Sequence, residues 1–141
     1  MARIALVTPA GAGTRNGNRH TAMRWAAFLR RDGHRVSVAV AWDGWSCDLL
    51  LALHARRSHA SVVAYRAAYP HGPLAVALTG TDLYRDLPGS AEARRSLALA
   101  DRLIVLQDEA PRRLAPQLRR KTRVVYQSAA PGARRKPPAG V

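Results

Sequence analysis

Short apolar runs alternate with helical-period segments along most of the chain. Arg3-Ile4-Ala5-Leu6-Val7 is an apolar run that stops at Thr8-Pro9, and a glycine-rich loop follows from Ala10 to Gly17. Asn18 can cap the next helix, in which Ala22, Trp25, Ala26 and Leu29 fall on one face at i, i+3, i+4 and i+7. Gly33 supplies a C-terminal stop, and Val36, Val38 and Val40 then alternate as a strand does. This opening predicts a βαβ unit. The alternation continues with a strand over 48–53, a polar turn at His54-Ala55-Arg56-Arg57, and a helix from Ser58 to Tyr69 ended by Pro70. A strand over 74–78 leads into Thr79-Gly80-Thr81-Asp82, and Ser90 caps a helix running to about Ala100. Leu103-Ile104-Val105-Leu106 is a further strand, Asp108 can cap a short helix carrying Leu114 and Leu118, and 122–126 is the last strand. Strands apolar on both faces and interleaved with helices predict a mostly parallel sheet of about six strands, covered on both sides. The expected architecture is a three-layer, Rossmann-like α/β domain over 1–128, with a basic, proline-rich linker or disordered tail over 129–141.

Composition narrows the class. A length of 141 residues suits one core, and with only 6% aromatics that core rests on Ala, Val and Leu. No stretch approaches the roughly 18 apolar residues that a membrane span needs. The apolar run at the start is too short for a signal peptide, and Arg15, Asn16, Asn18 and Arg19 soon follow. Cys47 is the single cysteine, which fits a reducing compartment, so a cytoplasmic protein is expected. The net charge of +14 is uneven: residues 111–141 hold nine basic and no acidic residues. Arginine outnumbers lysine 21 to 2, a bias that GC-rich coding produces on a solvated surface. A polyanion-binding tail is the sharper reading of that charge, but the tail lacks the aromatics on which bases stack, which ranks nucleic acid last among partners.

In an open parallel sheet, ligands bind outside the carboxyl ends of the strands. The residues placed there are Thr8 to Asn18, then His54, Arg56 and Arg57, then Thr79 to Asp82, then Gln107, then Gln127 and Ser128. The first loop, Gly11-Ala12-Gly13-Thr14-Arg15-Asn16-Gly17, has one residue too many for the dinucleotide fingerprint, and no acidic residue ends the second strand. A Gly-Lys-Ser/Thr sequence is absent, which removes the P-loop reading, and no cofactor is expected. What remains is an anion site: Gly13 and Gly17 let the backbone approach a ligand, a helix amino terminus follows, and Arg19 adds charge. Arg56 and Arg57 precede a helix start, where positive charge opposes the dipole, so a bound anion would account for them. Gly80 permits a tight backbone, Thr79 and Thr81 can donate hydroxyls, and Asp82 can orient a sugar hydroxyl, cap a helix or act as a base. The histidines show no metal-ligand spacing, and no metal is expected.

These loops carry a resemblance. Val7-Thr8-Pro9, Gly17-Asn18-Arg19 with Thr21 to Trp25, Ala41-Trp42-Asp43-Gly44, Leu53 to Ser58, Leu78 to Leu87, Ala100 to Gln107 and Tyr126-Gln127-Ser128 resemble the amino-terminal half of selenosugar synthases, the glycosyltransferases of bacterial selenoneine biosynthesis. The likeness spans about residues 3–128 and is most specific at HARRS and LTGTDLYRDL. It implies the amino-terminal, acceptor-side half of a GT-B fold. It also implies a hexosyltransferase reaction joining selenophosphate to the anomeric carbon of a UDP-sugar, with release of UDP. The candidate binding set, taken from the loops at the strand ends and consistent with that role, is Thr8, Gly13, Gly17, Asn18, Arg19, Arg56, Arg57, Thr79, Gly80, Thr81, Gln107, Gln127 and Ser128. Asp82 and His54 are the candidates for positioning the sugar or supporting the leaving group. The chain ends at Val141, in what resembles the interdomain linker, so a carboxy-terminal GT-B domain holding the UDP-sugar is the expected partner. The alternative is a non-catalytic anion-binding module that works with a separate partner domain.

Overall fold

The computed structural model describes residues 1–9, 17–78, 89–106 and 110–125. Six strands form one sheet in the order β2-β1-β3-β4-β5-β6. They are β1 (Arg3–Val7), β2 (Arg35–Ala39), β3 (Leu49–Leu53), β4 (Leu74–Ala77), β5 (Arg102–Val105) and β6 (Thr122–Val124), and every neighbouring pair is parallel. The helices are α1 (Gly17–Arg31), α2 (His59–Ala68), α3 (Ala91–Leu99) and the single-turn α4 (Pro116–Arg119). The expected Rossmann-like α/β arrangement is therefore present.

Side-chain alternation splits the core between the two faces of the sheet. Ala5, Val7, Leu50, Ala52, Leu74, Val76, Leu103 and Val105 point to one face, packed against Val62 and Tyr65 of α2 and Ala93 and Leu97 of α3. Ile4, Leu6, Leu51, Leu53 and Ala77 point to the other, where Ala22 and Ala26 of α1 meet them. Each fully buried leucine contributes roughly 1.5–3 kcal/mol. Two of the scarce aromatics, Trp42 and Trp45, lie in the segment that crosses from β2 to β3 and meet Tyr65 and Tyr69 from α2 and its end. Trp42 stacks edge-on against Tyr65 with centroids 5.5 Å apart, and its indole N–H donates to the Trp45 carbonyl at 3.0 Å. This segment covers the sheet where a crossover helix would otherwise lie. Cys47, within it, is buried, and desolvation raises its thiol pKa.

Helix ends account for much of the local order. Gly33 sits at φ +95°, its N–H donates to the Arg30 carbonyl, and the His34 N–H donates to the Leu29 carbonyl. This is the Schellman pattern, and glycine reaches that φ without penalty. Ser90 caps α3, its Oγ accepting from the Ala93 N–H at 3.0 Å. Arg66 closes the far end of α2: its guanidinium donates to the carbonyls of Tyr69, Pro70, Gly72 and Leu99 and to the Asp101 carboxylate. Gly72 is required there, because a Cβ would lie 2.7 Å from both Tyr65 Oη and Tyr69 Cβ.

Three expectations need adjustment. Helix α1 already includes Gly17, so Asn18 stands inside the first turn and not at its cap. The expected short helix before β6 is two pieces, a 3-10 turn at Ala110–Arg113 and α4, because Pro116 supplies no N–H to continue a helix through it. The sheet is also not evenly covered. Among the described residues α1 packs over β2 and β1, while the same face at β5 and β6 carries Ile104 beside the exposed Arg102, Arg123 and Val125.

Candidate functional site at the carboxyl edge

The first crossover runs from β1 outward to β2, whereas β3 to β6 extend the sheet in the opposite direction. The chain thus changes direction between β1 and β3, and a crevice opens outside the carboxyl ends of strands at such a switch point. Val7 pairs with Ala52 in the register. Thr8 and His54 follow these strands directly, so both stand at the mouth of the crevice.

Thr8 is fully buried and its N–H donates to the Ala39 carbonyl at 2.9 Å. Its Oγ1 is also buried and has no hydrogen-bond partner among the described residues. By the alternation of β1, Thr8 shares the face of Ile4 and Leu6, the face that α1 covers. Helix α1 starts at this edge and has no acidic residue in its first turn. Its leading N–H groups and positive dipole end favour an anion there. An unmade hydrogen bond on a buried hydroxyl costs about 1–3 kcal/mol, and a ligand oxygen would recover that cost.

His54 is the second unusual residue. Its φ is +73°, it is the single non-glycine residue with positive φ among those described, and it is only 2% exposed. Left-handed backbone costs a residue with a Cβ roughly 1–2 kcal/mol. The surrounding bonds hold it there. Its N–H donates to the Ala77 carbonyl of β4, and its carbonyl accepts from the Ser58 N–H, each at 2.9 Å. Its Nδ1 accepts from the Arg57 N–H at 3.1 Å. A neutral ring accepting at Nδ1 carries its proton on Nε2. The ring donor of His54 is therefore Nε2–H, on a side chain that is itself buried.

The turn around His54 is braced from two sides. Ser58 precedes α2 without capping it, since its Oγ donates back to the Leu53 carbonyl. From α3, the buried Ser96 Oγ donates to the Ala55 carbonyl at 2.8 Å. His59 Nδ1 lies 3.1 Å from the same Oγ. Ser96 has only one proton to give, so His59 is the donor in that contact. No sequence signal pairs His59 with Ser96, because nothing local links α2 to α3. Arg56 is half-buried and Arg57 exposed on this braced turn.

Thr8, His54, Arg56 and Arg57 thus share the carboxyl edge, and Arg19 lies in the first turn of α1 at the same edge. The backbones of Gly17 and Asn18 begin that helix. Gly13, Thr79, Gly80, Thr81, Asp82, Gln107, Gln127 and Ser128 lie outside the described residues, as does Asp108. Among the described residues no group of three His, Cys, Asp or Glu could hold a metal ion. None of their helices is long and apolar enough to cross a membrane.

Fold and edge together define the class: a Rossmann-like α/β domain with Thr8, His54, Arg56 and Arg57 at the carboxyl edge of its sheet, beside the switch point. Comparison with protein-family models and with curated proteins found no match for the chain.

Proposed function

We propose that this chain is the acceptor-side domain of a glycosyltransferase that moves a sugar from a UDP-sugar to selenophosphate. The observation that carries this reading is the buried Thr8 Oγ1, without a partner among the described residues, at the switch point beside the amino terminus of α1 and the strained His54. These groups suit a small tetrahedral anion, and the resemblance at HARRS and LTGTDLYRDL supplies the identity of that anion. Selenium forms a bond to the anomeric carbon, the bond from that carbon to the UDP oxygen breaks, and UDP leaves with the electron pair. A selenophosphate acceptor is already nucleophilic, so this domain needs to hold and orient it more than to deprotonate it. Thr8, the α1 amino terminus, Arg19, Arg56 and Arg57 are the holding groups, and His54 Nε2–H is a donor toward the reacting oxygens. Asp82 and the threonines of its loop enter through the resemblance. The UDP-sugar falls to a carboxy-terminal domain facing the crevice, and the reaction takes place in a cytoplasmic, reducing setting.

Isothermal titration with selenophosphate, with inorganic phosphate as a comparison, tests the holding groups. Saturable binding that Arg56→Ala with Arg57→Ala removes, in a protein that still melts cooperatively, is the expected result. Absence of binding in the unaltered chain overturns the site. A transfer assay with UDP-sugars, run with and without the carboxy-terminal domain of a selenosugar synthase, separates an enzyme half from a binding module. Binding without any transfer in the reconstituted pair would favour the module.

A further inference from the structure

Away from the carboxyl-edge crevice, the α1 face of the sheet holds an apolar groove. Trp25, Phe28 and Leu29 of α1 form one wall, Leu51 and Ile104 the floor, and Val125 the far side, around a volume of about 230 Å³. Phe28 is 41% exposed and Val125 40% exposed, although both line this apolar groove. Helices packed side by side sit about 8–10 Å apart, or roughly two strand spacings of about 4.8 Å. Since α1 lies over β2 and β1, a helix beside it would rest on β3 to β5, which is where the groove runs.

The rim of the groove is cationic. The Arg31 guanidinium stands 5.6 Å from the Phe28 ring centroid. Arg123 is the register partner of Ile104, so in this parallel pair both side chains leave the same face of the sheet. Arg102 precedes Ile104 by two residues and shares that face, paired with Ala75. Among the described residues none of these three guanidiniums meets a carboxylate. Arg102 donates to the Asp101 carbonyl, and Arg123 to the carbonyls of Arg120 and Thr122. The Asp101 carboxylate points to the opposite face, where it accepts from Arg66 and from the Leu74 N–H.

We propose that this groove docks an amphipathic helix of a partner protein, with apolar residues along one face and Asp or Glu on its flanks. The cationic rim selects that occupant. A second copy of this chain, at a net charge of +14, would bring like charge to the rim, and residues 111–141 of the chain itself carry no acidic residue at all. Helix-in-groove recognition uses this combination of a non-polar seat and charged edges. The inference is independent of the reading of the carboxyl edge.

The test uses two designed helical peptides with the same leucine face, one flanked by Glu and the other by Lys. Fluorescence anisotropy on the intact chain should show saturable binding of the Glu-flanked peptide, weakening with added salt, and none of the Lys-flanked one. Arg102→Glu with Arg123→Glu should weaken the Glu-flanked peptide by about tenfold or more and admit the Lys-flanked peptide. Phe28→Asp should remove binding of the Glu-flanked peptide, with circular dichroism confirming that α1 stays folded. Failure of the Glu-flanked peptide to bind, equal binding of both peptides, or sedimentation as a dimer that Phe28→Asp dissociates would each overturn the proposal.

Discussion

The backbone N–H of Arg57 donates to Nδ1 of His54 at 3.1 Å. The imidazole thus accepts a bond from its own turn while the backbone of His54 is held at φ +73°. Position 54 consequently separates backbone strain from side-chain chemistry. His54→Gly relieves the strain and should leave stability within about 1 kcal/mol, whereas His54→Val should lose about 2 kcal/mol or more. Both variants should lose phosphate-type ligand binding. Chemical denaturation beside calorimetric titration checks the pair, and full binding by His54→Gly would remove the imidazole from the site.

Thr8→Val should show the opposite signs for stability and function. Removing a buried hydroxyl that has no partner among the described residues should stabilise the fold by about 1 kcal/mol. Ligand affinity should fall at the same time. A gain in melting temperature together with a lower association constant is the expected outcome, and a loss of stability would mean that the hydroxyl is satisfied in solution.

Arg66→Met should be among the most damaging single changes outside the site. Its guanidinium serves four carbonyls and one carboxylate at the ends of α2 and α3. Methionine keeps the aliphatic bulk but leaves these acceptors short of donors, at a cost of about 2–4 kcal/mol. The midpoint of urea unfolding reads this directly.

Tyr65 sets an alkaline limit on stability. Its phenol, buried among Trp42 and Tyr69, is pushed up from 10.0 to about 12 by desolvation. The unfolded chain releases this proton first, so the stability tied to Tyr65 is complete below pH 10 and is lost as pH rises toward about 12. Tyr65→Phe should flatten this part of the stability curve, measured as the difference between the two proteins in denaturation midpoint across that window.

The glycines at two turns should differ in cause. Gly33→Ala meets no atom within 4 Å but must hold φ +95°, so it should cost about 1 kcal/mol. Gly72→Ala has no φ penalty but forces its Cβ against Tyr65 and Tyr69, and it should cost more. Thermal melts of the two variants give the order.

Periodicity made the layers legible, because strands buried on both faces leave unbroken runs such as Leu49 to Leu53, and because Gly33 and Ser90 mark helix ends with specific chemistry. It also placed Thr8, His54, Arg56 and Arg57 at one edge, since all follow directly from strand ends. It did not reveal the left-handed backbone at His54. That conformation is signalled in sequence by Gly or Asn, and here a long-range bond to Ala77 of β4, together with the local bond from the Ser58 N–H, holds it instead. Ser58, the expected first residue of the second helix, stands just before it instead, and its hydroxyl donates to the Leu53 carbonyl rather than to the helix end. The uneven cover of the α1 face was equally hidden. Alternation shows which side chains leave a strand together, not whether a helix lies above them.

The two ends of the sheet limit how it can grow. Its edge strands are β2, five residues long with exposed Arg35 and Ser37, and β6, three residues long with exposed Arg123. Edges carrying exposed guanidiniums are poor templates for another strand, since an incoming backbone would have to pair beside positive charge. Recognition by this domain is thereby directed to its loop edge and its faces, and lateral strand addition, the route to fibrous assembly, is disfavoured at both described margins.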